Sequence, residues 1–455
     1  MGRMWFPPLE KGGEGGFERV FQMKSAYSWF YIAILSLGIG GGFAFLVAMS
    51  RTPFGYKYFP PDYMYHALAG HVVLAILLWL LSFTVVLWDI YLGDGATNRW
   101  ENISHKISIL GPVLVTISVL TGNGKVVTNN YVPTIIDPLF FIGLALFITG
   151  FSINTVAYLK KGIKYLFSTD ILMNTVLISL LISIIMIFSL VCSLIINRET
   201  AEPFIFYERL FWTPGHIQQL LNGSLLIIVW YSLLRKHGGE FRTWGFLRYA
   251  NVLLLLSAVF VSSIQFFYDP VDKTSVIAAE ITYAFGLGIP VFLHIANIIR
   301  NLKRGNLGVA CIALILSMVI YTFGIAIAYG GFANDLRVPA HYHGAVTSLT
   351  LALMGLSYYL IKDIRIRIYG ERLARFQPVI YGAGMFLFIL GLFISGAFGA
   401  PRKTYGVAFT SDPVVLASLT IMGIGTILAV FGGIIFVSYI SVTLVKGRRK
   451  YELPG

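Results

Sequence analysis

The sequence predicts an all-α protein that crosses a membrane about twelve times, and three observations carry that reading. Of 455 residues, 57% are hydrophobic and only 12% charged, about half the charged share of an ordinary soluble domain. Mean hydropathy is +0.77. Apolar runs of the size needed to cross a hydrocarbon core, about 20 residues for about 30 Å, follow one another along nearly the whole chain and leave no room for a soluble domain.

Taken in order, the runs are Tyr27 to Met49, Met64 to Tyr91, Ile107 to Leu120, Ile135 to Leu159, Ile171 to Ile196, Phe211 to Leu234, Tyr249 to Phe267, Ser275 to Ile299, Leu307 to Gly330, His341 to Ile361, Pro378 to Ala397 and Pro413 to Val445. The third is short and the last long. Residues 27–445 are thus expected to form one membrane domain, preceded by an N-terminal segment, 1–26, and followed by a basic tail, 446–455. The first twenty or so residues are polar and Gly-rich, without the apolar core and cleavage site of a signal peptide. Cys192 and Cys311 both fall inside apolar runs, which excludes a disulfide framework or a thiolate zinc site.

The formal net charge of +13 is explained by loops facing anionic lipid, so no nucleic-acid partner is expected. Basic residues crowd the loops after even-numbered segments: Lys160, Lys161 and Lys164; Arg235, Lys236, Arg242 and Arg248; Arg300, Lys303 and Arg304; Lys362, Arg365, Arg367, Arg372 and Arg375. Alternate loops hold such residues as Lys125, Lys273 and Arg337 singly. The positive-inside rule therefore predicts a multi-pass protein of the cell (inner) membrane with both termini cytoplasmic.

In that orientation every even-numbered segment enters from outside. His71 in segment two, His216 in segment six, and His341 and His343 in segment ten then share the outer third of the membrane. Imidazoles in hydrocarbon are costly and are usually functional. His341 and His343 are two residues apart, about 200° around a helix, so they cannot share a metal ion but each can hold one. Haem or metal ligation is the chemistry that four histidines at one depth fit. His294 falls near the inner face, His105 and His237 in inner loops, and His66 at the outer interface. Asp137 precedes Pro138 as an interfacial helix cap.

These residues resemble subunit I of the haem-copper oxidases and their relatives, the nitric-oxide reductases. The likeness runs from about Tyr27 to Val445. It rests on Leu68-Ala69-Gly70-His71, Phe211-Trp212-Thr213-Pro214-Gly215-His216, Val338-Pro339-Ala340-His341-Tyr342-His343-Gly344 and Pro401-Arg402-Lys403. The resemblance implies two haems: a low-spin haem with His71 and His343 as axial ligands, and a high-spin haem on His341. It implies Arg402 and Lys403 as neutralisers of haem propionates, and puts His216 where one ligand of a distal copper or non-haem iron stands. It further implies a small partner subunit with a copper or cytochrome c electron donor, lipid around the bundle, and O2 or NO as substrate. The chain has no CxxCH and so no covalent haem.

The departures bear on the reaction. Ser262 to Pro270 aligns with the family's paired histidines, placing Ile264 and Gln265 there, and Leu220 replaces the family's tyrosine or glutamate. One histidine and one amide hold copper poorly, so Gln265 is a weak metal candidate and the distal site reads as incomplete. Glu280, about two turns into segment eight, is the intramembrane carboxylate that could deliver protons or ligate beside His216. Three functions compete: reduction of O2 or NO at the high-spin haem, electron transfer or gas binding by a dihaem subunit without distal copper, and ion-coupled transport. Transporter sites lie at the midplane, which these histidines avoid.

Overall fold

The computed structural model describes residues 24–93, 99–197, 202–303, 305, 307–331, 334–363 and 370–450. The N-terminal segment through 23, Arg304, Arg365, Arg367 and the last residues of the basic tail lie outside the described residues. Among those described, twelve helices are long and apolar enough to cross a membrane: α1 Ala26–Met49, α2 Pro61–Leu92, α3 Arg99–Thr121, α4 Pro138–Tyr165, α5 Ile171–Ile196, α6 Pro203–Gly238, α7 Leu247–Ile264, α8 Lys273–Asn301, α9 Val309–Tyr329, α10 Arg337–Ile361, α11 Arg372–Ala397 and α12 Pro413–Val445. The only described strands, β1 Val126–Val127 and β2 Thr134–Ile135, pair antiparallel in the loop between α3 and α4.

The bundle is a membrane protein built around two central helices. In their most apolar windows α6 is 94% and α10 89% buried, against 28% for α8. Central position lets α6 and α10 carry polar side chains that pair with neighbouring helices, as Trp230 Nε1 does on Ser317 at 2.8 Å. Glycines bring the backbones together where the histidines sit. A Cβ on Gly344 of α10 would lie 2.4 Å from the Cα of Gly324 in α9, and one on Gly40 of α1 would lie 2.7 Å from Ala75 N in α2.

Two helices contain wide π turns, at Val72–Leu78 in α2 and Ala284–Gly288 in α8. Each begins directly after a residue of the histidine-bearing region, His71 and Tyr283. Several helices start earlier than the hydropathy pattern places them. α6 begins at Pro203 because Glu202 caps it, accepting from the amides of Phe204 and Ile205. α3 begins at Arg99, and its buried Glu101 meets Lys161 of α4 at 3.3 Å. Asp137 is the N-cap residue of α4 but its side chain makes no capping bond; Pro138 opens the helix instead.

Candidate functional site

His71 and His343 face each other across the interface of α2 and α10. Their ring centroids are 6.4 Å apart and the ring planes differ by 7°. Two imidazoles bound through Nε2 to opposite sides of one metal ion, with bonds of about 2.0 Å and about 1.1 Å from nitrogen to ring centre, have centroids about 6.2 Å apart. The observed spacing and near-parallel planes are compatible with that geometry. His71 Nδ1 lies 3.1 Å from Gly40 O and His343 Nδ1 lies 2.7 Å from Pro339 O. A carbonyl only accepts, so each Nδ1 carries the hydrogen and each Nε2 keeps its lone pair for a metal.

Both rings open onto a cavity of about 360 Å³ lined by α1, α2, α10, α11 and α12, within the range of cofactor sites. Gly41 and Gly42 of α1 border it, and a Cβ on either would meet nothing, leaving a flat wall. Its other end carries cations, Arg51, Arg402 and Lys403. A slot with an apolar body, two opposed imidazoles and a cationic rim fits a haem with its carboxylates at the rim.

His341 points elsewhere. Its Nδ1 is 2.9 Å from Gly324 O on α9, and it does not line the cavity shared by His71 and His343. The divergence expected of residues two apart on a helix is thus realised, and the His341 Nδ1 also carries its hydrogen toward a carbonyl.

His216 differs from the other three. Its Nδ1 donates to Trp212 O at 2.8 Å, but its Nε2 accepts from the Tyr131 hydroxyl at 2.7 Å. Trp212 packs on the ring at 4.0 Å between centroids and Tyr283 lies parallel to it at 5.4 Å, while the Tyr283 hydroxyl donates to His216 O at 2.8 Å. Gly215 makes room, since a Cβ there would lie 2.4 Å from the Tyr131 ring. Burial, then the nearby Glu208 carboxylate, push the Tyr131 phenol up from its ordinary value, so it stays a hydrogen-bond donor.

The remaining distal candidates do not converge on His216. Gln265 Oε1 accepts from Ser193 Oγ at 2.8 Å and its Nε2 donates to Ser262 O at 3.0 Å, so the amide is spent tying α7 to α5. Ile264 packs with Trp212 and Ala279. Glu280 is exposed on the outer flank of α8 beside Ile277 and Ile281, because Tyr283 occupies the face of that helix turned to His216. Neither the metal role of Gln265 nor the catalytic role of Glu280 has support in this arrangement. Among the described residues no group of three or more His, Cys, Asp or Glu could hold a metal ion, and the side chains around His216 do not fit a distal copper or iron.

Arg402 and Lys403 lie in the loop between α11 and α12. Lys403 Nζ reaches Thr128 O, Asn129 O and Asn130 Oδ1, and Arg402 reaches Asn130 Oδ1 at 2.9 Å. Lys403 is the one non-glycine with positive φ among the described residues, at 56°, a strained conformation of the kind that gathers at functional sites. Burial, then Arg402, hold its amine down at about 8. The sequence reading missed Arg51, Tyr131 and Tyr283. Arg51 had one signal, a basic residue at the outer end of a segment where the loops are otherwise poor in them; the tyrosines had none.

The other histidines have partners of another kind. Buried His294 sits between Tyr231 and Asn251 at 3.1 and 3.0 Å, and His66 bridges Asp62 O and Gly124 O.

Comparison with known proteins agrees with the geometry. An uncharacterized protein of Aquifex aeolicus (strain VF5) is 32% identical over 354 residues, 77% of this chain and 88% of the relative. Another uncharacterized protein, of Rickettsia prowazekii (strain Madrid E), is 28% identical and the match covers 94% of this chain and 98% of that protein. Residues 24–435 match the family described as cytochrome c and quinol oxidase polypeptide I. The chain is therefore a haem-copper oxidase subunit I-like membrane oxidoreductase and belongs to that family.

Proposed function

We propose that this protein is a dihaem electron-carrying and gas-binding subunit of a respiratory complex, with no distal copper. The single observation that carries the reading is the parallel His71 and His343 pair, 6.4 Å apart across a cavity with a cationic rim. A haem between them would supply six-coordinate iron suited to one-electron transfer, and one on His341 alone would keep a coordination place for O2 or NO. The chain's own contribution is positional: carbonyls of Gly40, Pro339 and Gly324 hold the three imidazoles in one tautomer and remove the need to reorient on ligation. Arg51, Arg402 and Lys403 at the cavity rim favour entry of electrons from an outer-side donor, a copper or cytochrome c domain on a small partner subunit. The inner loops' basic residues support an orientation in the cell membrane with both termini cytoplasmic.

Reduction of O2 or NO at the second haem is the other reading, favoured by the family match; the phenol on His216 Nε2 weighs against a second metal taking part. The test is a pyridine haemochrome assay with reduced-minus-oxidised spectra, metal analysis and gas consumption on the purified complex. Two haems per chain, one binding CO, with less than stoichiometric copper and non-haem iron, is the expected result. His71→Ala and His343→Ala should each abolish the low-spin band and spare CO binding. A wild-type preparation without haem would sink the reading, and rapid O2 or NO turnover would favour the reductase.

A further inference from the structure

We propose that Arg51 is the principal anchor for the acidic edge of the macrocycle held between His71 and His343, while Arg402 and Lys403 act first as a clamp on the loop between α3 and α4. The inference rests on the haem reading above. It departs from the expectation that the basic pair after α11 does the anchoring.

Three facts carry it. Arg51 is 8% exposed and lines the cavity onto which both rings open. One of its terminal nitrogens donates to Pro401 O at 2.8 Å, yet its Nε is buried with no partner. No ion pair reaches it among the described residues. Burial holds the guanidinium down at about 10, so it remains charged at neutral pH, and an unpaired charge in such surroundings is costly. An anionic group in the cavity removes that cost, and a planar carboxylate suits the guanidinium fork.

The neighbouring basic pair is turned toward the loop between α3 and α4. Lys403 has three N–H donors and three acceptors on residues 128–130. Arg402 turns to Asn130, whose own amide groups are held by Glu208. The rim is one unit, because Gly406 N donates to Ser50 O at 3.0 Å and the Tyr405 hydroxyl reaches Tyr56 O and Phe59 O. Arg51 is therefore fixed beside the basic pair with a donor still to spend.

The experiment compares full-length wild type, Arg51→Gln, Arg51→Lys, Arg402→Gln and Lys403→Gln for haem per chain, rate of haem loss to an apoglobin scavenger, and low-spin midpoint potential. Arg51→Gln should lose haem at least about tenfold faster, the loss expected for a hydrogen bond to a charged group, with its potential shifted downward. Arg51→Lys should recover part of both effects, and Lys403→Gln should lose haem more slowly than Arg51→Gln. Haem-replete Arg51→Gln with unchanged potential, or faster haem loss from Lys403→Gln than from Arg51→Gln, overturns the assignment. Should Arg51→Gln fail to accumulate, infrared redox-difference spectra with haem carbon-13 labelled at its carboxylates decide. The carboxylate bands should move in Arg51→Lys and not in Lys403→Gln; bands unmoved in Arg51→Lys overturn it. Wild type lacking haem would instead sink the parent reading.

Discussion

Single side chains decide what the histidine-bearing half of this bundle can bind. All four outer histidines donate Nδ1–H to a backbone carbonyl, so what separates a ligand from a packed imidazole is what meets Nε2. For His216 that is Tyr131. Tyr131→Phe leaves a buried ring nitrogen without a donor and should lower stability by about 1–3 kcal/mol, measured as thermal unfolding in detergent, with low-spin haem unchanged. Lys403 gives a second prediction. Its amine is held at about 8 against an ordinary 10.5, so between those values the unfolded chain binds more protons and Lys403's contribution to stability rises with pH, flat below and above. Reductive carbon-13 methylation should reveal one lysine titrating near pH 8 that disappears in Lys403→Gln. The histidine positions were legible because imidazole is rare in apolar sequence. Tyr131 was not, because it is one of 25 tyrosines and lies in a loop whose course no periodicity fixes.

At the scale of helices, the close crossing of α9 and α10 sets where His341 and His343 stand. With no Cβ on Gly324 or Gly344 the backbones touch, and the Gly324 carbonyl comes within reach of His341. Gly344→Ala should cost about 1–3 kcal/mol by overpacking and should broaden or shift the bands of both haems, read in the reduced-minus-oxidised spectrum; a normal spectrum would count against the crossing as the positioning element. Hydropathy located every one of these helices because length and apolarity are local properties. It placed Glu280 by depth alone, and depth says nothing of rotation: the π turn and Tyr283 decide which face of α8 looks inward. Rotation likewise turns the amide of Gln265 to Ser193 and Ser262.

For the molecule as a whole, the segregation of basic residues predicts one orientation, and reporter fusions after Lys164, Arg242 and Arg300 should read as cytoplasmic while a fusion after Lys125 reads as external. The reverse pattern would put the cationic rim on the wrong side for an outer donor. Helix α2 spans this architecture with two attachments to α10, His71 opposite His343 and Trp79 Nε1 on Thr350 Oγ1 at 3.3 Å. Between them runs the wide turn Val72–Leu78. Rewinding that stretch as ordinary helix with every residue kept would swing one end of the rod against the other by about 100°. Indole and imidazole could not then both keep their appointments, so the wide winding works as a phase adjuster that absorbs one spare residue and keeps the two halves of the protein in step.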